Sequence, residues 1–182
     1  MIGGMVRRED DLYIVRPRPD IVEYADNVAA VRQGMAFLKG RNSKGLIGSF
    51  DKFLAYNRMG ACCEAAGKIL LNPIRWHALA EKITHLPDLG GFIDVKGRAR
   101  THYDLPVQKD DEDEFAFLLI TAEKPPDYVV HGWLWGWEAK SPQYWSDPER
   151  SGRAAYFVPQ KFLRPTDELI ALLHPKKKSD AA

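Results

Sequence analysis

The sequence predicts an α+β domain built around one mixed sheet. Two long helical patterns fill the first part of the chain, short apolar strand patterns crowd the second, and a helical segment closes it. Residues Leu12 to Val15 read as a short strand, stopped by Pro17 and Pro19. Asp20 then caps a helix whose apolar residues Ile21, Tyr24, Val28, Val31, Met35 and Leu38 recur at helical spacing, with Gly40 as the stop. Ser49 caps a second helix reaching about Leu71, ahead of Asn72 and Pro73. Its residues Phe53, Tyr56, Met59, Gly60, Cys63, Gly67 and Leu70 form one face, small enough to lie close against a sheet. Glu64 follows Gly60 by four positions and precedes Gly67 by three, which places it on that face.

Residues Pro73 to Ile83 fit either a short helix or a strand. Strands follow at Phe92 to Lys96, Leu105 to Gln108, Phe115 to Thr121, Tyr128 to Trp135 and Ala154 to Val158, each bounded by turn residues. A last helix spans Thr166 to Leu173. The pattern divides the chain into an N-terminal extension with one helix (1–48), a main domain (49–175) and a basic, disordered tail (176–182).

A chain of 182 residues with 45% hydrophobic residues can bury a proper core. No apolar run approaches the roughly 20 residues that span a membrane. Met1 to Asp11 lacks the apolar centre of a secretory signal, so the cytoplasm is the expected location. Net charge is only +1, yet it is unevenly spread, which permits a local basic groove. Basic residues gather at Lys39 to Lys44, Lys96 to Arg100 and Lys176 to Lys178; acids run from Asp110 to Glu114. That acidic run would repel nucleic acid and is expected in a solvated turn away from any groove. Adjacent Cys62 and Cys63 suit neither a disulfide nor a zinc site and read as small buried helix residues.

The chemistry concentrates in Pro87-Asp88-Leu89-Gly90-Gly91-Phe92-Ile93-Asp94-Val95-Lys96. In a strand, alternate residues share a face, so Asp94 and Lys96 project to one side and Ile93 and Val95 to the other. Gly90 and Gly91 allow a tight turn that returns Asp88 beside Asp94. Two converging carboxylates suit a hard divalent cation, with an ammonium alongside to position or deprotonate a water.

These residues resemble the PD-(D/E)xK nuclease superfamily, from about Phe53 to Pro165. Small phage and bacterial nuclease-like proteins of that group look most similar. The resemblance implies a restriction-endonuclease-like core, a mixed sheet flanked by helices. It implies hydrolysis of phosphodiester bonds with Mg²⁺ or Mn²⁺, in DNA ahead of RNA, and leaves room for a homodimer. It assigns Asp88, Asp94 and Lys96 to catalysis. Glu64, on the preceding helix, matches the family's helix-borne acid and would join Asp88 and Asp94 at the metal. Arg98 and Arg100 would contact flanking phosphates, and Gln108 would face the site. The alternative is a non-catalytic nucleic-acid-binding module on the same fold.

A rival pattern exists in Asp127 with Glu138 and Lys140. It ranks second, because Glu138 and Lys140 lie beyond Gly136, outside an apolar strand, and no Glu-bearing helix stands before Asp127 as required. His131 reads as a structural strand histidine, while His77, His85, His102 and His174 have no metal-ligand spacing. Trp133, Trp135 and Trp137 alternate and should share one sheet face; packing is a better explanation for them than base stacking.

Overall fold

The computed structural model describes residues 3–38, 50–72, 74–78, 86–147, 152 and 154–175. Strands β1 (Gly4–Glu9) and β2 (Leu12–Pro17) form a hairpin. Helices α1 (Pro19–Leu38) and α2 (Phe50–Leu70) follow, then β3 (Ile93–Arg98), β4 (Leu105–Val107), β5 (Ala116–Lys124) and β6 (Asp127–Trp135). A one-turn helix Gly136–Ala139, strands β7 (Trp145–Ser146) and β8 (Ala155–Val158) and a C-terminal helix Thr166–Leu173 complete the order.

The main sheet has the order β1-β2-β6-β5-β3, with β3 and β5 parallel and the other neighbours antiparallel. It is therefore mixed, as expected, but a second sheet of order β4-β8-β7 accompanies it. The pleat sorts β5 between two cores. Ala116, Leu118 and Ile120 point toward α2, while Phe117 and Leu119 join Leu105, Val107, Leu134 and Val158 beneath the small sheet. Helices thus cover one face of the main sheet and the three-stranded sheet covers the other. Burial on both faces explains why β5 is a continuous apolar run from Ala116 to Ile120.

The strand read at Leu12 to Val15 is present as β2, but β1 and the place of the hairpin were not anticipated. β2 pairs with β6, so residues 4–17 supply two strands of the main sheet rather than part of an extension laid over it. Helix α1 also buries a different stripe from the expected one. Ala25, Val28, Ala29 and Arg32 face inward, while Tyr24, Val31 and Leu38 are exposed. Alanines let α1 approach α2 closely, and the larger residues are left on the outer side. Helix α2, lying between α1 and the sheet, is buried nearly all round from Ala61 to Gly67. Its small residues do meet the sheet: a Cβ on Gly97 of β3 would come within 3.1 Å of Cys63 Sγ.

The C-terminal helix has the expected bounds, and its Leu169 joins the core beneath α2. Trp133 and Trp135 share a face and meet edge-on at 5.2 Å, whereas Trp137 turns into the one-turn helix and is exposed. Lys39 to Lys44 with the stop at Gly40, the cap at Ser49, Pro73, all of 79–85 and the tail from Lys176 lie outside the described residues. Among the described residues no helix is long and apolar enough to cross a membrane.

Candidate active site on the Asp88–Lys96 hairpin

The motif folds as the two glycines predict. Leu89 and Ile93 exchange backbone hydrogen bonds at 2.9 and 3.0 Å, closing a tight hairpin. Gly90 (φ 61°) and Gly91 (φ 92°) both take the left-handed conformation. Gly90 also lacks room for a side chain, since a Cβ there would sit 2.3 Å from Ile74 Cδ1. Residues 75–77 brace the hairpin from outside: His77 N–H donates to Asp88 O, and Gly90 N–H donates to Arg75 O, both at 2.8 Å.

The turn brings Asp88 back onto the strand. Its carboxylate is buried, and Oδ2 accepts the Val95 N–H at 2.8 Å. That amide belongs to the peptide joining Asp94 to Val95, so Asp88 abuts the backbone of Asp94. Ile93 and Val95 enter the core under α2; Asp94 and Lys96 project to the opposite face. Lys96 Nζ lies 2.7 Å from Asp94 Oδ2, 2.9 Å from Asp111 Oδ2 and 4.9 Å from the Phe117 ring centre. Burial works against the Lys96 charge, but Asp94 and Asp111 outweigh it and hold the amine above its ordinary pKa. The side chain is therefore an ammonium here, suited to donating hydrogen bonds rather than to taking a proton. Beside it lies a cleft of about 200 Å³ walled by four acids, Asp94, Asp110, Asp111 and Glu112, together with Leu86, Pro87, Phe115 and Phe117.

The acidic run is not remote, contrary to the sequence reading. Asp111 bonds Lys96 directly, and Gln108 N–H donates to the same Oδ2 at 2.8 Å. Lys140 anchors the loop from behind, through Asp113 Oδ1 at 2.7 Å and the Asp111 carbonyl. Gly136 admits the loop closely, since a Cβ there would lie 2.4 Å from Glu112 O. Two lysines thus offset part of the run's charge, while Asp110, Glu112, Asp113 and Glu114 stay exposed. The Gln108 side chain is exposed.

Glu64 is on α2 as expected but faces α1. Arg32 holds both its oxygens at 2.5 and 2.7 Å, and Trp76 Nε1–H donates to Oε2 at 2.8 Å. Both members of the pair are buried. Arg32 further donates from Nε to Ala78 O. Since Trp76 bridges Leu89, this pair supports the segment that braces the hairpin. Among the described residues no group of three or more His, Cys, Asp or Glu is arranged to hold a metal ion. Asp88 and Asp94 remain a pair of hard oxygen donors, a set that suits Mg²⁺, which takes one or two carboxylates and keeps waters.

Arg98 continues the Asp94–Lys96 face and stacks over Tyr103 at 4.6 Å, while exposed Arg100 pairs with Glu123 at 3.4 Å. The rival motif is dispersed. Asp127 binds Arg7 and Arg16, Glu138 binds Arg164, and Lys140 binds Asp113. His131 sits at an irregularity of β6 and hydrogen-bonds Thr121 at 2.9 Å, a structural role. Sequence reading missed Asp111, Arg32 and Trp76. Only Arg32 left a trace, four residues after Val28 on a helix face otherwise apolar.

Compared with protein families, curated proteins and solved structures, the chain matches none.

Proposed function

We propose that this chain is a metal-dependent nuclease with a restriction-endonuclease-like core, hydrolysing phosphodiester bonds in DNA ahead of RNA. The observation that carries the reading is the hairpin itself. A buried Asp88 carboxylate rests on the Val95 amide, and Asp94 and Lys96 stand together on the polar side of the same strand. Asp88 and Asp94 would hold Mg²⁺ or Mn²⁺. When bound, such an ion polarises the phosphoryl group and acidifies a coordinated water.

Lys96 supplies the nearby positive charge. Its ammonium donates to a phosphate oxygen or to the attacking water, exchanging one of its carboxylate partners for substrate. Arg98, on the same strand face, and exposed Arg100 meet flanking phosphates. Glu64 acts as a positioning residue in this reading, through Trp76 and the braced hairpin, rather than as a metal ligand.

The test is cleavage of supercoiled and linear DNA with Mg²⁺ or Mn²⁺, comparing wild type with Lys96→Ala. Metal-dependent cutting that the variant loses supports the assignment. No cutting by a folded wild-type protein overturns it and favours a non-catalytic nucleic-acid-binding module. The double engagement of Lys96 by carboxylates is the observation on the side of that second reading.

A further inference from the structure

The second core runs out to solvent at an aromatic surface that the proposed hydrolysis does not use. Trp145 of β7 lies directly across from Tyr156 of β8, and the rings meet edge-on at 4.8 Å. Trp145 is 43% exposed. With Pro142 and Lys109 the two rings line an open cleft of about 380 Å³. A second ring pair continues the surface: Tyr144 lies 6.0 Å from Phe162, which is 51% exposed and carries Lys161 Nζ over its face at 4.9 Å.

The lining is specific in kind. Among the described residues the cleft holds aromatic faces, a proline and one lysine, with no aliphatic β-branched side chain and no carboxylate. Flat π faces beside a cation match a nucleobase and its phosphate, because each base offers a face to stack and each linkage a negative charge. Position supports the same occupant. Lys109 directly follows Gln108, whose amide holds the Asp111 oxygen that also binds Lys96. One short loop therefore borders both the aromatic cleft and the ammonium of the candidate active site.

We propose that Trp145, Tyr156 and Lys109 form a stacking subsite for a single-stranded nucleic-acid segment next to the scissile phosphodiester. Bases of an unpaired flank stack on Trp145 and Tyr156, and Lys109 meets the backbone between them. A duplex cannot use the subsite, since its bases are already stacked on each other. The inference rests on the nuclease reading for the placing of the scissile bond, but binding tests it apart from cutting.

The probe is a fluorescent 20-nucleotide oligothymidylate, with a blunt duplex of equal length as control, titrated with the full chain in EDTA and read by anisotropy. Wild type should prefer the single strand. Trp145→Ala should weaken that binding roughly tenfold, Trp145→Phe should restore most of it, and duplex binding should change less than about twofold. Lys109→Glu, an exposed change that leaves the rings in place, should weaken single-strand binding severalfold and flatten its salt dependence. Equal binding by wild type and Trp145→Ala overturns the subsite, as does a Trp145→Phe variant as weak as Trp145→Ala. Binding of anionic vesicles in place of the oligonucleotide overturns it too. The pattern of binding with no metal-dependent cutting by wild type would keep the subsite and remove the nuclease reading; cutting without any effect at Trp145 would do the reverse.

Discussion

Two of the clusters that join a cation to carboxylates bear on the candidate site, and their surroundings separate them. Arg32 and Glu64 are both buried, bound by two parallel hydrogen bonds, and completed by Trp76 and the Ala78 carbonyl. Lys96 is held by Asp94 and Asp111 at the wall of a cleft, with Phe117 beneath it. The first is a closed fork in which every strong interaction lies inside the protein. The second is a point charge held between two carboxylates that themselves line the cleft. Lysine suits exchange of partners, whereas the planar guanidinium of arginine suits a fixed bidentate pair. Buried charge pairs are thus a poor guide to function by themselves; the neighbouring cleft is what separates the pair proposed to work from the structural one.

The largest effect should come from the open cluster and be confined to chemistry. Asp94→Asn or Lys96→Ala should lower cleavage by at least roughly a hundredfold, with the thermal midpoint close to wild type. Full activity in either variant would end the assignment.

The closed cluster should respond in the opposite way. Glu64→Ala leaves the Arg32 charge buried without its carboxylate, which costs about 3–5 kcal/mol in chemical denaturation. The double variant Arg32→Met with Glu64→Leu should recover most of that loss, because the cost lies in the unmatched charge. A Glu64 variant that kept its stability and lost cutting would instead move Glu64 into the metal site. A smaller effect is expected at Asp111. Asp111→Asn removes one negative charge beside Lys96 and should tighten nucleic-acid binding about two- to fivefold at low salt, fading as salt rises. Weaker binding would mean that Asp111 orients Lys96 toward the substrate rather than competing with it.

The sequence carried the parts of this comparison that depend on local spacing. Alternation along Ile93 to Lys96 separates core from cleft, and the glycine pair places Asp88 against the Val95 amide. Strands β3 to β6 and the C-terminal helix were likewise legible, being short apolar runs between turn residues. What was hidden depends on contacts remote in sequence. Helix α1 packs through alanines, so its large apolar residues pointed to the wrong stripe and concealed the inward-facing Arg32. The strand pairing of Gly4–Glu9 gives no alternating apolar pattern, because this edge strand is largely exposed. Asp111 looked like part of a repelling acidic run. Only the fold brings Lys96 and Lys140 to either side of it, and no one-dimensional pattern contains that arrangement.

A third cluster, at the surface, extends the comparison, and there the effect should be smallest and governed by pH. Asp127 accepts hydrogen bonds from Arg16 at 2.6 and 2.9 Å and from Arg7 at 3.1 Å, tying the β1–β2 hairpin to β6. Those partners, Arg16 first, hold its pKa at about 2 in the folded chain, against roughly 3.9 in the unfolded one. A depressed folded pKa contributes stability that is present above the unfolded value and is lost as pH falls toward the folded value. Asp127→Asn should therefore lower stability at pH 6, by less than about 1 kcal/mol because solvent screens the pair. The difference from wild type should shrink as pH falls from about 4 to 2. Thermal melts of both proteins across that range would measure it. A gap that stayed constant with pH would show that Asp127 acts there through packing or neutral hydrogen bonds, and that its charge, unlike that of Glu64, is not what holds the strands together.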